Sequence, residues 1–247
     1  VQKIDGIVDA FDAVMVARGD LGVEIPIERV PLIQKDVIEK ASRAGKPVVI
    51  ATQILDSMTE RPVPTRAEVS DIANAILDGA DALMVTGETA MGDYPEEVIA
   101  MLTRVIDETE SAINYQDYYI SREDGNLNTA REISHAACSV ASEQDIKTLV
   151  TMTHSGSTAR MTARFRPSAQ IVAMTPFDTI CRQLSIVWGV RSFVVRAYNS
   201  SDEIPLVASE VLKENNLIVK GDKFVITGGV PVGIPGTTNY LSVLRLE

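Results

Sequence analysis

The chain has 247 residues, with 23 Lys or Arg against 34 Asp or Glu, so its formal net charge is −11. This acidic balance argues against a nucleic acid as partner. Two cysteines are too few for a disulfide framework. The sequence contains no run of about 18 apolar residues, so it predicts no membrane span. Hydrophobic residues make up 45%, enough for a sizeable core in one or two domains. We expect a protein of the reducing cytoplasm.

The first 113 residues alternate short apolar runs with amphipathic segments, after an initial helical spacing over residues 1–10. Residues 13–17 are apolar at every position, which predicts a strand buried on both sides. Thr65 and Glu68 form a capping box at the start of one helix. The expected strands are 13–17, 47–51 and 82–85, and the expected helices after them are 30–44, 65–78 and 95–112. Three such βα units predict a parallel sheet that is part of a (β/α)₈ barrel.

Polar residues follow each of these strands, and the C-terminal ends of barrel strands are where ligands bind. Arg18, Gly19 and Asp20 follow the first strand. Asp20 offers oxygen to a hard cation, and a glycine at position 19 lets backbone N–H groups approach an anion. Thr52 follows the second strand. The alternative is an ordinary strand end with an ion pair between Arg18 and Asp20.

A second domain is predicted after a linker over residues 114–128. Its expected helices are 129–142, 157–165, 178–184 and 202–215, and its expected strands are 148–152, 171–174, 192–196, 223–227 and 241–246. This alternation indicates an α/β domain with a mixed sheet. We therefore expect two domains, at 1–113 and 129–247.

Two loops of the second domain carry ligand-binding patterns. Residues 153–158 place hydroxyls and a glycine before a helix, which predicts an anion cradle. The alternative is a simple N-cap by Ser155 or Ser157. The glycine-rich loop 228–239 is longer than a hairpin needs and could close over a ligand. The candidate binding residues are Thr153, His154, Ser155, Gly156, Ser157, Thr158, Gly233, Gly236 and Thr237.

Four blocks of sequence, at residues 14–24, 49–58, 64–68 and 78–90, closely resemble the pyruvate kinase family, and the resemblance continues to the C-terminus. It implies a (β/α)₈ barrel with an inserted lid and a C-terminal α/β domain. It also implies phosphoryl transfer from phosphoenolpyruvate to ADP in glycolysis, with Mg²⁺ or Mn²⁺ and usually K⁺. Another phosphoenolpyruvate-using barrel enzyme would leave the blocks at 64–68 and 78–90 unexplained.

The resemblance also implies individual roles. Asp20 would be one of two carboxylates that hold the divalent metal, and the amides around Gly19 and Asp20 would bind the substrate carboxylate. Thr52 would contact substrate near the face where carbon is protonated. Thr86 and Glu88 would belong to the proton relay at this face, and Arg18 would be a further catalytic residue. Arg66 would cross the subunit interface of a homotetramer.

In the second domain, the resemblance assigns both loops to an effector site for a phosphorylated sugar or nucleotide. The family's second metal carboxylate, lid and K⁺ site would precede Val1, so we expect the C-terminal half of a longer polypeptide, inactive by itself. An alternative function for such a chain is an effector-binding and assembly module.

Overall fold

The computed structural model describes residues 3–113, 128–234 and 236–247. The chain divides into two units, Val1–Asn114 and Tyr115–Glu247, and each contains one sheet. The linker predicted at 114–128 lies outside the described residues except for Asn128. That residue caps a helix, since its side-chain oxygen accepts a hydrogen bond of 2.9 Å from the Ala130 N–H.

The first unit consists of three parallel βα units. Its strands are β1 (Val14–Ala17), β2 (Val48–Ala51) and β3 (Ala82–Met84), and its helices are α1 (Ile4–Ala10), α2 (Arg18–Glu24), α3 (Val30–Arg43), α4 (Arg66–Asp78), α5 (Gly87–Ala90) and α6 (Pro95–Ser111). The sheet order is β1-β2-β3, with both pairings parallel. The predicted barrel-type arrangement of this part of the chain is confirmed.

Helix α4 begins and ends as its sequence predicts. The Thr65 side chain accepts from the Glu68 N–H while the Glu68 carboxylate accepts from the Thr65 N–H, which confirms the capping box. The helix ends at Gly79, whose φ of 103° lies in the left-handed region that favours glycine.

One expectation for the first strand was wrong. Only Val16 of β1 is buried, and Met15 is 53% exposed, so the strand is not covered on both sides. Apolar residues on both faces allow a strand to be buried on both sides. Burial also requires other elements packed on each face, and the four residues of the strand do not determine those. Arg18, Gly19 and Asp20 follow the strand as expected, and they form the first turn of helix α2.

The second unit is an α/β domain whose mixed sheet is confirmed. Its strands are β4 (Thr148–Met152), β5 (Gln170–Thr175), β6 (Val190–Val194), β7 (Lys223–Gly229) and β8 (Thr238–Arg245), and its helices are α7 (Thr129–Glu143), α8 (Ser157–Ala163), α9 (Asp178–Leu184) and α10 (Ile204–Glu214). The order is β6-β5-β4-β7-β8, and only β8 runs antiparallel to its neighbour. Strand β8 begins at Thr238 instead of 241, which leaves 230–237 as the loop.

Each unit has its own apolar core. In the first, Ile50 of β2 is fully buried with Ile38 of α3 and Ile72 of α4, so these helices cover one face of the sheet. In the second, Phe224 and Ile226 of β7 are fully buried. Each such side chain contributes about 1.5–3 kcal/mol to folding. Among the described residues, none of the helices has the length and apolar content that crossing a membrane requires.

Candidate functional site

The polar residues after β1, β2 and β3 lie at one edge of the sheet, as predicted. Ala17 is aligned with Ala51, and Ala51 with Met84, so the three strands end level with one another. The segments that begin with Arg18, Thr52 and Val85 therefore leave the sheet side by side.

Arg18 joins three elements through its guanidinium group. Its Nη2 donates to the carbonyl oxygens of Thr52, at 2.9 Å, and Gln53, at 3.0 Å, and its Nε donates to the Thr52 carbonyl at 3.3 Å. Its Nη1 pairs with the Asp71 carboxylate on α4. The alternative ion pair between Arg18 and Asp20 is therefore wrong. Because the Arg18 side chain is only 10% exposed and its donors face the protein, the arginine holds the site together.

Gly19 contacts Thr52 directly. The Gly19 N–H donates to Thr52 Oγ1 at 2.8 Å, so this amide serves the protein and is not open to an anion, contrary to expectation. A Cβ added at position 19 would lie 3.6 Å from Thr52 Oγ1, an ordinary contact, so the fold itself does not require glycine there. Within the described residues, no group accepts a hydrogen bond from the Thr52 hydroxyl, which leaves its proton available to a ligand.

The backbone at Thr52 has an unusual conformation that the sequence did not reveal. Thr52 and Gln53 have φ values of 70° and 54°, and neither is glycine. Each such residue costs about 1–3 kcal/mol and persists only where the surroundings hold it. Strained backbone of this kind concentrates at functional sites.

Glu88 holds the same segment from the other side. It is 2% exposed; its Oε1 accepts from the N–H groups of Ile54 and Leu55, both at 3.3 Å, and its Oε2 from the Thr86 N–H at 2.7 Å. Burial acts to raise the pKa of Glu88, but hydrogen bonds led by that of the Thr86 N–H outweigh it and lower the pKa. This enclosed, ionised carboxylate supports the segments that follow β2 and β3. Its position does not favour the predicted role of Glu88 in transferring a proton.

Glu68 is a third acidic anchor, found in the sequence only as a capping residue. Its carboxylate accepts from the Ser57 N–H at 2.8 Å and from the Ser57 hydroxyl at 2.5 Å, besides its bonds to Thr65. Burial raises the pKa of Glu68, but the bonds from Ser57 and Thr65 together lower it. The segment after β2 is thus fixed by Asp71 through Arg18, by Glu88 and by Glu68.

Asp20 is not part of this hydrogen-bond network. It is exposed and lines a cavity of about 340 Å³ with Glu24, beside β1. Arg18 and Gly19 line a different cavity, of about 400 Å³, with Asp71. Over the described ranges, no group of three or more His, Cys, Asp or Glu side chains could hold a metal ion. Asp20 therefore offers one metal ligand and not a complete set.

Arg66, the first residue of α4, is exposed. It makes no hydrogen bond or ion pair with another described residue. Its guanidinium is available for contact beyond this chain.

In the loop before α8, only some of the hydroxyl groups predicted to bind a ligand are accessible. Thr153 and Thr158 are buried; Thr153 Oγ1 accepts from the Gly156 N–H at 2.9 Å, and Thr158 Oγ1 lies 2.7 Å from Thr238 Oγ1. These two side chains therefore do not face a ligand. Ser155 and Ser157 remain partly exposed, with their hydroxyl oxygens 3.0 Å apart.

The N-cap of α8 is Gly156, with a left-handed φ of 81°, and no side chain caps the helix. The alternative of a simple cap by Ser155 or Ser157 is therefore wrong. His154 packs against the rings of Phe177 and Tyr198, and burial lowers the pKa of His154, which favours its neutral form.

The loop 230–237 is shaped by local contacts. Gly233 and Gly236 have left-handed φ values of 90° and 79°, which explains why glycine stands there. Thr237 Oγ1 donates to the Ile234 carbonyl at 2.7 Å, so this predicted ligand residue also holds the turn. Asn239 bonds to both the N–H and the carbonyl of Val230 at the base of the loop.

Parallel βα units with polar strand ends at one edge, followed by an α/β domain, define a protein of the TIM-barrel type with an added domain. Residues 1–99 match the model of the pyruvate kinase barrel domain, and residues 131–244 match that of the pyruvate kinase alpha/beta domain. The chain belongs to the pyruvate kinase family.

Individual relatives agree with this assignment. A pyruvate kinase of Clostridium acetobutylicum is 45% identical over 100% of this chain and 52% of its own length. One of Geobacillus stearothermophilus is 46% identical over 98% of this chain and 42% of its own length. The crystal structure of a pyruvate kinase from Cryptosporidium parvum has a TM-score of 0.89 and 36% identity, over 99% of this chain and 50% of that one. The chain thus spans about half the length of the relatives it matches.

Proposed function

We propose that this chain carries part of the active site of a pyruvate kinase, which transfers the phosphoryl group of phosphoenolpyruvate to ADP and protonates the resulting enolpyruvate. The observation that carries the proposal is the Gly19–Thr52 contact at the strand ends, in a chain that matches pyruvate kinases throughout its length. The hydroxyl of Thr52 accepts from Gly19, so its proton is directed to a ligand. Since a threonine hydroxyl is a poor acid, Thr52 would pass on a proton from water.

The divalent metal fits the residues present only in part. Asp20 is an exposed carboxylate, a suitable ligand for Mg²⁺ or Mn²⁺, but it supplies a single ligand. When bound, the metal would neutralise charge on the phosphoryl group. The K⁺ ion that the family usually requires has no proposed ligands in this chain.

The proposal is tested by the variant Asp20→Asn, with Glu24→Gln as matched control. Both remove one negative charge from helix α2 and from the same cavity. We expect Asp20→Asn to weaken Mn²⁺ binding, measured by electron paramagnetic resonance, and to abolish pyruvate formation by the full-length enzyme. Glu24→Gln should retain both. Equal effects of the two variants would contradict the role of Asp20.

We also propose that the second unit binds a phosphorylated effector at residues 155–157. The support is the pair of partly exposed hydroxyls beside a helix start that no side chain caps. The neighbouring loop 230–237 would close over the ligand. The double variant Ser155→Ala with Ser157→Ala should lose calorimetric binding of fructose bisphosphate and ribose phosphate, whereas Ser139→Ala, on the exposed side of α7, should not. Unchanged binding in the double variant would contradict this site.

A homotetramer of the cytoplasm is the assembly and location we propose, from family membership. The exposed guanidinium of Arg66 would contact the neighbouring subunit. An Arg66→Ala variant that sediments like the unaltered enzyme would contradict this contact.

A further inference from the structure

We propose that Asp71 is a positioning residue for the Thr52 hydroxyl and acts through Arg18. The inference rests on the proposed function in one respect, that Thr52 contacts substrate. Among the described residues, the Asp71 side chain bonds to Arg18 and forms no hydrogen bond with Gly19 or Thr52.

The backbone at Thr52 needs support from other residues. Thr52 and Gln53 both have left-handed backbone, a conformation that relaxes unless the surroundings fix it. Arg18 fixes this backbone by donating three hydrogen bonds to the carbonyl oxygens of Thr52 and Gln53. Glu88 and Glu68 hold the segment further along, at residues 54–57, whereas Arg18 bonds to Thr52 and Gln53 themselves. Because the Thr52 side chain is carried on this backbone, the 2.8 Å distance from its hydroxyl to the Gly19 nitrogen depends on the bonds from Arg18.

Arg18 in turn depends on Asp71 for its orientation. Arg18 offers five N–H donors in a rigid plane, so fixing one edge of the guanidinium fixes the direction of the other. Asp71 binds Nη1, while Nη2 and Nε face the carbonyls. Without Asp71, a cation that is 10% exposed has no carboxylate partner and turns toward solvent, away from Thr52.

Helix α4 does not depend on Asp71 for its own stability. That helix is held independently by its capping box, by the bonds of Glu68 to Ser57, and by an ion pair between Asp78 and Lys35 of α3. Losing the Asp71 pair therefore leaves α4 anchored at both ends. Asp78 provides a matched control, since it is another aspartate of α4 that pairs with a cation of a neighbouring helix.

The first experiment reads the Gly19–Thr52 bond in the 247-residue chain labelled with ¹⁵N. Hydrogen exchange of the Gly19 amide should rise at least about tenfold in Asp71→Asn and stay within about twofold in Asp78→Asn. If the amide exchanges equally in unaltered protein and Asp71→Asn, the inference is overturned, whatever the activity shows.

The second experiment is a double-mutant cycle in the full-length enzyme. Asp71→Asn should lower kcat about 10- to 100-fold with little change in the KM for phosphoenolpyruvate, and it should add no further loss in a Thr52→Val background. Independent, multiplicative losses would overturn the inference. If Asp71→Asn frees the Gly19 amide but Thr52→Val retains full activity, Asp71 still positions Thr52 and the proposed role of Thr52 fails instead.

Discussion

Replacing Glu88 with glutamine should loosen the segment that follows β2. The carboxylate is 2% exposed and accepts backbone N–H groups from Ile54, Leu55 and Thr86. An amide of the same size can serve the first two through its oxygen, but its NH₂ group then faces the Thr86 N–H, which donates at 2.7 Å. Two donors that face each other cannot bond, so the Thr86 N–H loses its charged acceptor.

The magnitude follows from these contacts. Losing the bond between Thr86 and the charged oxygen costs about 1.5–3 kcal/mol. The bonds from Ile54 and Leu55 weaken from charged to neutral acceptors, at about 0.5–1 kcal/mol each. The total for Glu88→Gln is roughly 2.5–5 kcal/mol, which corresponds to a factor of about 100 or more in the local opening equilibrium.

Hydrogen exchange followed by mass spectrometry of the 247-residue chain measures this opening. Peptides over residues 52–59 should exchange about a hundredfold faster in Glu88→Gln, whereas peptides over 148–163 in the second unit should not change. Glu60→Gln is the control, because Glu60 is exposed and bonds to no described group. Equal exchange of residues 52–59 in both variants would refute the supporting role of Glu88.

Three further predictions follow from burial and packing. The pKa of Glu88 is lowered from 4.5 on folding, so its stabilisation is complete above pH 4.5 and is lost as the pH falls through the lower folded value; acid titration of exchange at 52–59 should be flatter in Glu88→Gln. Gly92→Ala should destabilise the first unit by about 1–3 kcal/mol in thermal unfolding, because its Cβ would lie 2.4 Å from the Glu88 carbonyl oxygen, whereas Gly22→Ala, with open space, should not. Thr158→Val should destabilise the second unit by about 1–3 kcal/mol in urea unfolding, because Thr238 Oγ1 loses its buried partner.

A different result would contradict each of these predictions. An unchanged pH profile in Glu88→Gln would mean that another carboxylate governs acid unfolding. A Gly92→Ala variant as stable as Gly22→Ala would mean that the Glu88 backbone shifts freely. The double variant Thr158→Val with Thr238→Val should recover part of the lost stability, since no hydroxyl is then unpaired; a further loss would contradict the pairing.

The fold was largely predictable from sequence because strand and helix periodicity act locally. The α4 capping box depends on residues three apart, and the structure has it as predicted. The cover on β1 was not predictable, because burial of Met15 depends on a layer that a four-residue run does not encode. Strand β8 began earlier than expected, at Thr238, because pairing with β7 extends it past its apolar residues.

The candidate site was predictable in position but not in connectivity. Strand ends marked Arg18, Thr52 and Thr86, and the parallel register brought their segments to one edge. Asp71 lies within an amphipathic helix, 53 residues from Arg18. No local sequence pattern predicts that these two residues form an ion pair. The left-handed backbone of Thr52 was equally hidden, since threonine has no preference for it.

The two hydrogen bonds between Asn239 and Val230 close the end of the β7–β8 ladder before the loop begins. The strand register is therefore set without help from residues 231–237, and that stretch can be lengthened, shortened or exchanged while the sheet stays intact. Residues 231–237 can therefore be replaced as one unit. A fluorescent reporter or a foreign recognition loop grafted between Gly233 and Gly236 would sit on a hairpin base that folds without it.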